Sequence, residues 1–186
     1  PDDDAGLDEL VAVIYDGVHP PDEMPFGEPW TEADPRYLGR GALQHFWSER
    51  AALSPQRWAV HFLVRRDGRV IGTQKLSARE FAITREVNTG SWIGLRHQGQ
   101  GLGTEMRAAV VLFAFDHLGA LTARSVAFAD NARSHGVSRR LGYRRDGSET
   151  VARRGEAAEH VRLVVTPSTL VRPPWTLGVD GYTEEC

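Results

Sequence analysis

The feature that most constrains this chain is a glycine-rich run at residues 98–103, which lies between a strand-like segment and a strongly periodic helical segment. Glycine has no Cβ, so the backbone N–H groups of such a run can close on an anion. The N-terminus of the helix that follows adds a partial positive charge. A strand, a glycine loop and a helix in this order predict a binding site for a pyrophosphate group.

Spacing narrows the choice of ligand. A dinucleotide-binding fingerprint that began at Gly99 would need a glycine at Thr104, and the phosphate-loop pattern that ends in Gly-Lys-Ser/Thr is absent. The run instead fits the pattern Gln/Arg-x-x-Gly-x-Gly/Ala, as Gln98-Gly99-Gln100-Gly101-Leu102-Gly103. Taken alone, the same run also fits a strand-to-helix turn that binds nothing.

A second motif lies further along the chain, where residues 131–143 read N-A-R-S-H-G-V-S-R-R-L-G-Y. Together the two motifs resemble the GNAT superfamily of N-acyltransferases. Residues 131–143 are similar to the N-x-x-S-x-x-V-x-x-x-L-G-[FY] signature of its ribosomal-protein alanine N-acetyltransferase branch. By pattern of elements the resemblance covers residues 58–165. Phrases within residues 17–31 are similar to an actinobacterial subgroup of that branch, in which succinyl as well as acetyl transfer has been proposed.

The resemblance implies an α+β (α/β) fold, with a central mixed, mostly antiparallel twisted sheet flanked by helices. A length of 186 residues with 41% hydrophobic residues suits one sizeable core. We therefore expect one acyltransferase domain over residues 1–186, with residues 167–186 as a C-terminal arm. The first strand of the family is absent, and we expect that it precedes residue 1.

Other elements follow from periodicity and turn signals. Helices are predicted at residues 7–15, at 37–53 as one helix or two, at 104–118 and at 132–141. Strands are predicted at residues 58–64, 69–76, 86–95, 123–128 and on both sides of a final turn at 153–155. Thr31 is expected to begin the second helix, and Gly119 and Gly142 to end the third and fourth. The third helix is expected to face inward with Met106, Ala109, Val110, Phe113 and Ala114.

The resemblance also implies an activity, which is transfer of an acyl group from acyl-CoA to a primary amine by direct attack in a ternary complex. Acetyl is the first choice of acyl group, and succinyl is the alternative. The amine belongs to a small molecule or to a protein N-terminus or lysine. A non-catalytic acyl-CoA-binding sensor or interaction module of the same fold stays open as an alternative, as does assembly into a homo-oligomer.

Family members bind coenzyme A through the end of the central strand, the glycine loop and the starts of the following helices. Carried over residue by residue, the cofactor-binding positions are Trp92, Ile93, Gly94, Leu95, Arg96, Gln98, Gly99, Gln100, Gly101, Leu102, Gly103, Thr104, Asn131 and Ser134.

The catalytic positions that the resemblance implies are Ser134, which would protonate the departing thiolate, and Asn131. Many family members place a tyrosine acid seven residues after the asparagine, where this chain has Ser138. Tyr143 is expected to pack. A structural alternative stays open, because an asparagine N-cap with a serine three residues later also stabilises a helix start.

No general base stands out by spacing. Glu80, Glu86, His61 and Asp130 are candidates, and each also fits a solvated or structurally satisfied residue. The seven histidines, His97 beside the glycine loop among them, show no metal-ligand spacing such as H-E-x-x-H, so no metal is expected.

The aromatic segment at residues 24–30 allows two interpretations. It could act as an apolar lid that keeps water from a thioester, or Phe26 and Trp30 could simply pack against the first helices.

Composition limits the partners and the location. A net charge of -3, with 22 basic and 25 acidic residues dispersed along the chain, gives no basic stripe for nucleic acid. The longest apolar stretches, such as residues 108–115, are too short to cross a membrane. The single cysteine, Cys186, supports neither a disulfide framework nor a nucleophile, and a reducing cytoplasm fits best.

Overall fold

A six-stranded sheet forms the centre of the structure, a computed structural model that describes residues 1–183; Cys186 lies outside the described residues. The strands are β1 (Arg57–Arg66), β2 (Arg69–Arg79), β3 (Glu86–Ile93), β4 (Thr122–Phe128), β5 (Arg144–Arg153) and β6 (Glu156–Val165), in the spatial order β1-β2-β3-β4-β6-β5. Neighbours are antiparallel except β3 and β4, which are parallel. This is the mixed, mostly antiparallel sheet of the α+β fold that the sequence predicts.

Helices cover both faces of this sheet. They are α1 (Asp4–Tyr15), α2 (Pro35–Ala51), the single turn α3 (Phe81–Thr84), α4 (Leu102–Leu112) and α5 (Ala132–Arg140). Successive side chains of a strand point to opposite faces. On β2, Lys75 contacts Glu49 of α2, whereas Leu76 lies in the same apolar cluster as the buried residues of α4. Helix α2 therefore packs on one face, and α4, with its neighbour α5, on the other.

Two apolar clusters hold the helices in place. The larger joins α4 to β2, β3, β4 and β6, and includes the fully buried Val87, Val111 and Val165. The smaller joins α1 and α2 to the first hairpin through Leu10, Phe46 and Val70. Within residues 1–183, no helix is both long enough and apolar enough to cross a bilayer.

The start of α2 differs from the prediction. Asp34 is its N-cap, because the Asp34 carboxylate accepts a hydrogen bond from Arg36 N at 2.9 Å and Pro35 occupies the first helical position. Thr31 instead lies in a 3₁₀ turn, where its hydroxyl bonds to His19 Nε2 at 2.7 Å. Asp34 and Pro35 together are a stronger helix-start signal than Thr31 three residues earlier.

The inward face of α4 also differs in part. Met106, Ala109 and Phe113 are half-buried, whereas the deeply buried positions include Arg107, Ala108 and Val111. The α-helix ends at Leu112 and continues as a π-helical turn, Phe113–His117. A wider turn rotates the residues that follow, so a single helical period cannot assign the whole segment.

The turns match their sequence signals. Asp67 and Gly68 join β1 to β2 with φ of 51° and 78°, and Arg154 and Gly155 join β5 to β6 with φ of 50° and 79°. Such paired left-handed residues are typical of tight hairpins. Residues 167–183 form no helix or strand, and Leu170 is buried against the larger cluster.

Candidate functional site

The glycine loop opens directly into α4. Gly99 and Gly101 have φ of 76° and 84°, in the left-handed region that favours glycine. A Cβ at either position would meet no atom within 4 Å, so the space in front of the loop is open. Gly101 is the N-cap of α4 and provides no side-chain cap. The first N–H groups of the helix therefore face that space as free donors, which suits an anion.

Hydrogen bonds of Gln98 fix the position of the loop. Its Nε2 donates to the carbonyl oxygens of Val18, at 2.8 Å, and Ile93, at 2.9 Å. The side chain of Gln98 thus joins the end of β3 to the segment after α1. Arg96 is held by an ion pair of 2.6 Å with Asp16. These two predicted cofactor-binding side chains are engaged with the protein. The neighbouring backbone is engaged too, because Leu95 N donates to Gly17 O and Gln98 N donates to Leu95 O.

Strands β3 and β4 separate beside this loop. Their backbone pairing covers only Glu86 to Asn88 opposite Thr122 to Arg124. At the next step Thr89 Oγ1 donates to Arg124 O at 3.1 Å, and Ser125 Oγ donates to Thr89 O at 3.5 Å. Within the described residues no pairing between the two strands follows. The second half of β3, with the predicted positions Trp92 and Ile93, therefore borders a gap in the sheet.

The two predicted catalytic residues lie together at the start of α5. Asn131 is the N-cap, and its Oδ1 accepts a hydrogen bond from Ser134 N at 3.0 Å. The Ser134 carbonyl accepts from Ser138 Oγ at 3.0 Å. Among residues 1–183 no hydrogen bond of the Ser134 hydroxyl is found, and that residue is half-buried. Asn131 therefore caps α5, as the structural alternative predicts, and the Ser134 hydroxyl is still available to a substrate.

Arg107 is a residue of this region that the sequence analysis missed. It is 5% exposed, and it donates from Nη1 to Ser138 Oγ at 3.0 Å and from Nη2 to Ser91 Oγ at 3.3 Å. No acidic partner of Arg107 is found within the described residues, and its Nε has none of any kind. Burial lowers the pKa of the guanidinium, opposed by the nearby Tyr143. The one available signal was an arginine inside an otherwise apolar helical stretch.

Tyr143 is buried in the larger apolar cluster and is 8% exposed. Burial raises the pKa of its phenol, and Arg107 opposes that rise. The phenol therefore stays protonated in the interior near Arg107.

The four candidate bases do not converge. Glu80 is exposed, and Glu86 is paired with Arg124 at 2.6 Å. Asp130 is paired with Arg153 at 2.6 Å, and hydrogen bonding to that arginine lowers the pKa of the carboxyl. His61 lies on β1, and burial lowers its pKa to about 4. None of these contacts identifies a base.

The aromatic segment reaches β3. The ring centroids of Phe26 and Trp30 are 5.1 Å apart, and those of Trp30 and Trp92 are 5.8 Å apart. Met24 is buried, and it lines a cavity of about 610 Å³ together with Asn131. The segment therefore forms a wall beside the start of α5, and its predicted function as a lid remains a prediction.

One protein family shares this sequence pattern, and solved structures share the fold. The sequence matches the acetyltransferase (GNAT) domain family over residues 8–144. Mycobacterium smegmatis RimJ in complex with CoA-disulfide is 16% identical, with a TM-score of 0.74 over 92% of this chain and 82% of that chain. RimL, a ribosomal L7/L12 alpha-N-protein acetyltransferase in complex with coenzyme A, is 15% identical, with a TM-score of 0.68 over 89% and 90%. The ribosomal-protein-alanine N-acetyltransferase from Brucella melitensis is 17% identical, with a TM-score of 0.66 over 89% and 96%.

Proposed function

The chain belongs to the GNAT acetyltransferase family, and we propose that it transfers an acyl group from acyl-CoA to a primary amine. Acetyl is the first choice, and succinyl is the alternative. One observation carries the proposal. A glycine loop with open space in front of it leads into an uncapped helix N-terminus, directly beside the gap between β3 and β4.

The pyrophosphate of coenzyme A would occupy the glycine loop. The backbone from Gly99 to Gly103 supplies N–H donors there, and the positive end of α4 supplies partial charge. Gly99 and Gly101 matter because a side chain at either would be strained and would fill the open space. In this proposal the side chains of Gln98 and Arg96 do not contact the pyrophosphate, because they bond to Val18, Ile93 and Asp16 and so hold the loop in place.

The pantetheine arm would lie along the second half of β3, at Trp92, Ile93, Gly94 and Leu95. Where β3 has lost its neighbour, backbone groups can bond to such an extended chain, apart from Gly94 N, Leu95 N and Ile93 O, which are already bonded within the protein. The arm then points the thioester toward the start of α5, where Asn131 and Ser134 lie.

Acyl transfer needs a neutral amine, donors for the developing oxyanion and a proton for the leaving thiolate. We assign the proton to the Ser134 hydroxyl, because Ser138 already donates to the Ser134 carbonyl and accepts from Arg107. Arg107, buried with no acidic partner among residues 1–183, would stabilise negative charge as it develops. The amine attacks the thioester directly, so no covalent enzyme intermediate forms.

The amine would enter through the cavity of about 610 Å³ beside Asn131. Acidic and arginine side chains line it, namely Asp22, Glu23, Asp130, Glu156, Arg133, Arg153 and Arg154. Asp130 and Glu23 are paired with Arg153 and Arg133, so the cavity walls carry charges of both signs and the entering amine meets no strongly acidic surface.

Parallel calorimetric titrations with coenzyme A, acetyl-CoA and succinyl-CoA test this proposal, followed by measurement of thiol release with a panel of amines. We expect one acyl form to bind more tightly than free coenzyme A and to release thiol with an amine. Binding without thiol release for any amine would instead identify a sensor. Absence of binding to all three would mean that the glycine loop is only a turn.

A further inference from the structure

A second cluster of reactive side chains lies away from the glycine loop, between α2 and β1. His45, Glu49 and His61 each place one potential ligand atom there, and these three atoms lie within 4.8 Å of one another. We propose that this cluster binds a divalent transition-metal ion, with zinc as the reference ion. The inference goes beyond acyl transfer and uses none of the residues proposed to contact acyl-CoA.

The two elements place these ligands by simple geometry. His45 and Glu49 are four residues apart on α2, so they project from one face of the helix. His61 comes from β1, on which that face packs. Sequence spacing could not reveal the cluster, because its third member belongs to a different element.

The strongest observation is the environment of His61. The residue is 5% exposed, and neither ring nitrogen has a hydrogen-bond partner within the described residues. Its Nε2 lies 3.5 Å from Glu49 Oε2, which is too long for a strong hydrogen bond. The ring of Phe46 packs edge-on against it with centroids 4.7 Å apart. Buried polar atoms of a protein are nearly always paired, and a metal ion is one partner that a buried imidazole nitrogen can bind.

Geometry at the cluster is that of a partly paired carboxylate beside an unpaired imidazole. Glu49 is half-buried and faces Lys75 on one side and His61 on the other.

Lys75 competes with the metal for the same carboxylate. Its Nζ lies 2.5 Å from Glu49 Oε2. Removal of this ammonium group would free the carboxylate oxygen and remove one positive charge from beside the ion. Substitution of Lys75 is therefore a sharp test, since only a metal site predicts that Zn²⁺ binds more tightly once the ammonium group is gone.

The donor set points to zinc-like ions. Two imidazoles and one carboxylate match the ligands that bind Zn²⁺ in open sites, in which water takes the fourth position. Bonds of about 2.0–2.2 Å require the three ligand atoms to draw together from their present separation, by small side-chain rotations. His45 is exposed, and a cavity of about 450 Å³ borders Glu49, so an ion can reach the cluster.

The test is a Zn²⁺ titration of the whole chain in competition with a coloured chelator, and a Co²⁺ titration followed by visible absorption. We expect one ion per chain and a Co²⁺ spectrum typical of four-coordinate nitrogen and oxygen ligation. His45→Ala should weaken Zn²⁺ binding by more than about tenfold, because loss of even an outer partner of a ligand costs about 10- to 100-fold. His45 is exposed, so this variant should fold normally.

Two variants complete the design. Lys75→Gln should bind Zn²⁺ more tightly than the parent, and His117→Ala, which removes an exposed imidazole elsewhere, should bind equally. Equal Zn²⁺ affinity in the parent and in His45→Ala would overturn the proposal, as would the absence of a one-to-one complex. Weaker binding in Lys75→Gln would also overturn it. Thiol release, assayed separately with a chelator present, reports on acyl transfer and is independent of these outcomes.

Discussion

Arg107 Nη1 donates a hydrogen bond to Ser138 Oγ over 3.0 Å, in the buried space between α4 and α5. Ser138 stands where many family members carry a tyrosine acid, and its hydroxyl is occupied by this contact and by the Ser134 carbonyl. The cation has no acidic partner among residues 1–183. A charge kept in the interior at a cost to stability is typical of a functional site.

Replacement of Arg107 by methionine should separate stability from activity. A buried charge that gives way to an apolar side chain of similar volume often leaves a protein equally stable or more stable, by about 1–4 kcal/mol. Loss of a donor that stabilises developing charge lowers turnover by about 10²- to 10³-fold. Urea unfolding and steady-state kinetics with acyl-CoA measure the two effects.

Arg107→Lys is the matched control, because it keeps the charge and loses the forked donors. We expect turnover between that of the parent and that of Arg107→Met. Full turnover in Arg107→Met would exclude a role for the guanidinium in the reaction.

Gly101→Glu should abolish binding of coenzyme A. The substitution puts bulk and negative charge into the open space at the start of α4 and strains a residue with φ of 84°. Gly181→Glu is the control, since Gly181 has φ of 73° with open space around it and lies outside the glycine loop. Both variants should lose about 1 kcal/mol of stability. Calorimetry should detect the loss of binding in Gly101→Glu alone, and normal binding there would exclude the loop as the pyrophosphate site.

Ser134→Ala should lower turnover more than binding. The backbone N–H at position 134 still donates to Asn131 Oδ1, so the start of α5 stays intact. The Kd for acyl-CoA should therefore change little. Ser138→Ala provides the comparison, because its hydroxyl accepts from Arg107. A buried donor left unpaired costs about 1–3 kcal/mol of stability. If Ser138→Ala alone loses turnover, the proton donor is not Ser134.

Local signals in the sequence were enough for most of the fold. The left-handed pairs Asp67-Gly68 and Arg154-Gly155 fix both hairpins, since each turn depends on its own residues. The start of α2 was predicted too early, because Thr31 and Asp34 both offer capping side chains; the proline after Asp34 favours the later start, and Thr31 bonds to His19 instead. The π-helical turn after Leu112 left no local signal at all.

Parts of the candidate site could likewise be predicted from local sequence, and other parts could not. The glycine loop and the Asn131 cap are contiguous in sequence, so their motifs could be read directly. The buried contacts of Arg107 with Ser91 and Ser138 join three elements, and only the packing of α4 brings them together. Pairwise contacts between distant segments have no signature in a single sequence.

Two substitutions of Asn131 should separate its capping role from a ligand role. Asn131→Asp keeps the acceptor for Ser134 N, so the helix start should stay stable. Asn131→Ala removes that acceptor and should cost about 0.5–2 kcal/mol. Asp also removes the amide donor and adds negative charge, so Asn131→Asp should raise the KM for acyl-CoA if the amide contacts it. An unchanged KM in Asn131→Asp would mean that Asn131 caps α5 and does not contact acyl-CoA through its amide.

Stability should fall between pH 6.5 and pH 4 in part because of His61. Its pKa drops from an ordinary 6.5 to about 4 in the folded state, chiefly through burial. The unfolded chain therefore binds a proton first as pH falls, and the folded state loses up to about 3 kcal/mol across that window, with no further loss from this group below it. His61→Gln should flatten this part of the profile, so that stability measured by urea unfolding with a chelator present differs less between about pH 7 and about pH 5 than in the parent. An unchanged pH dependence in His61→Gln would show that His61 titrates normally and is not buried as a neutral imidazole.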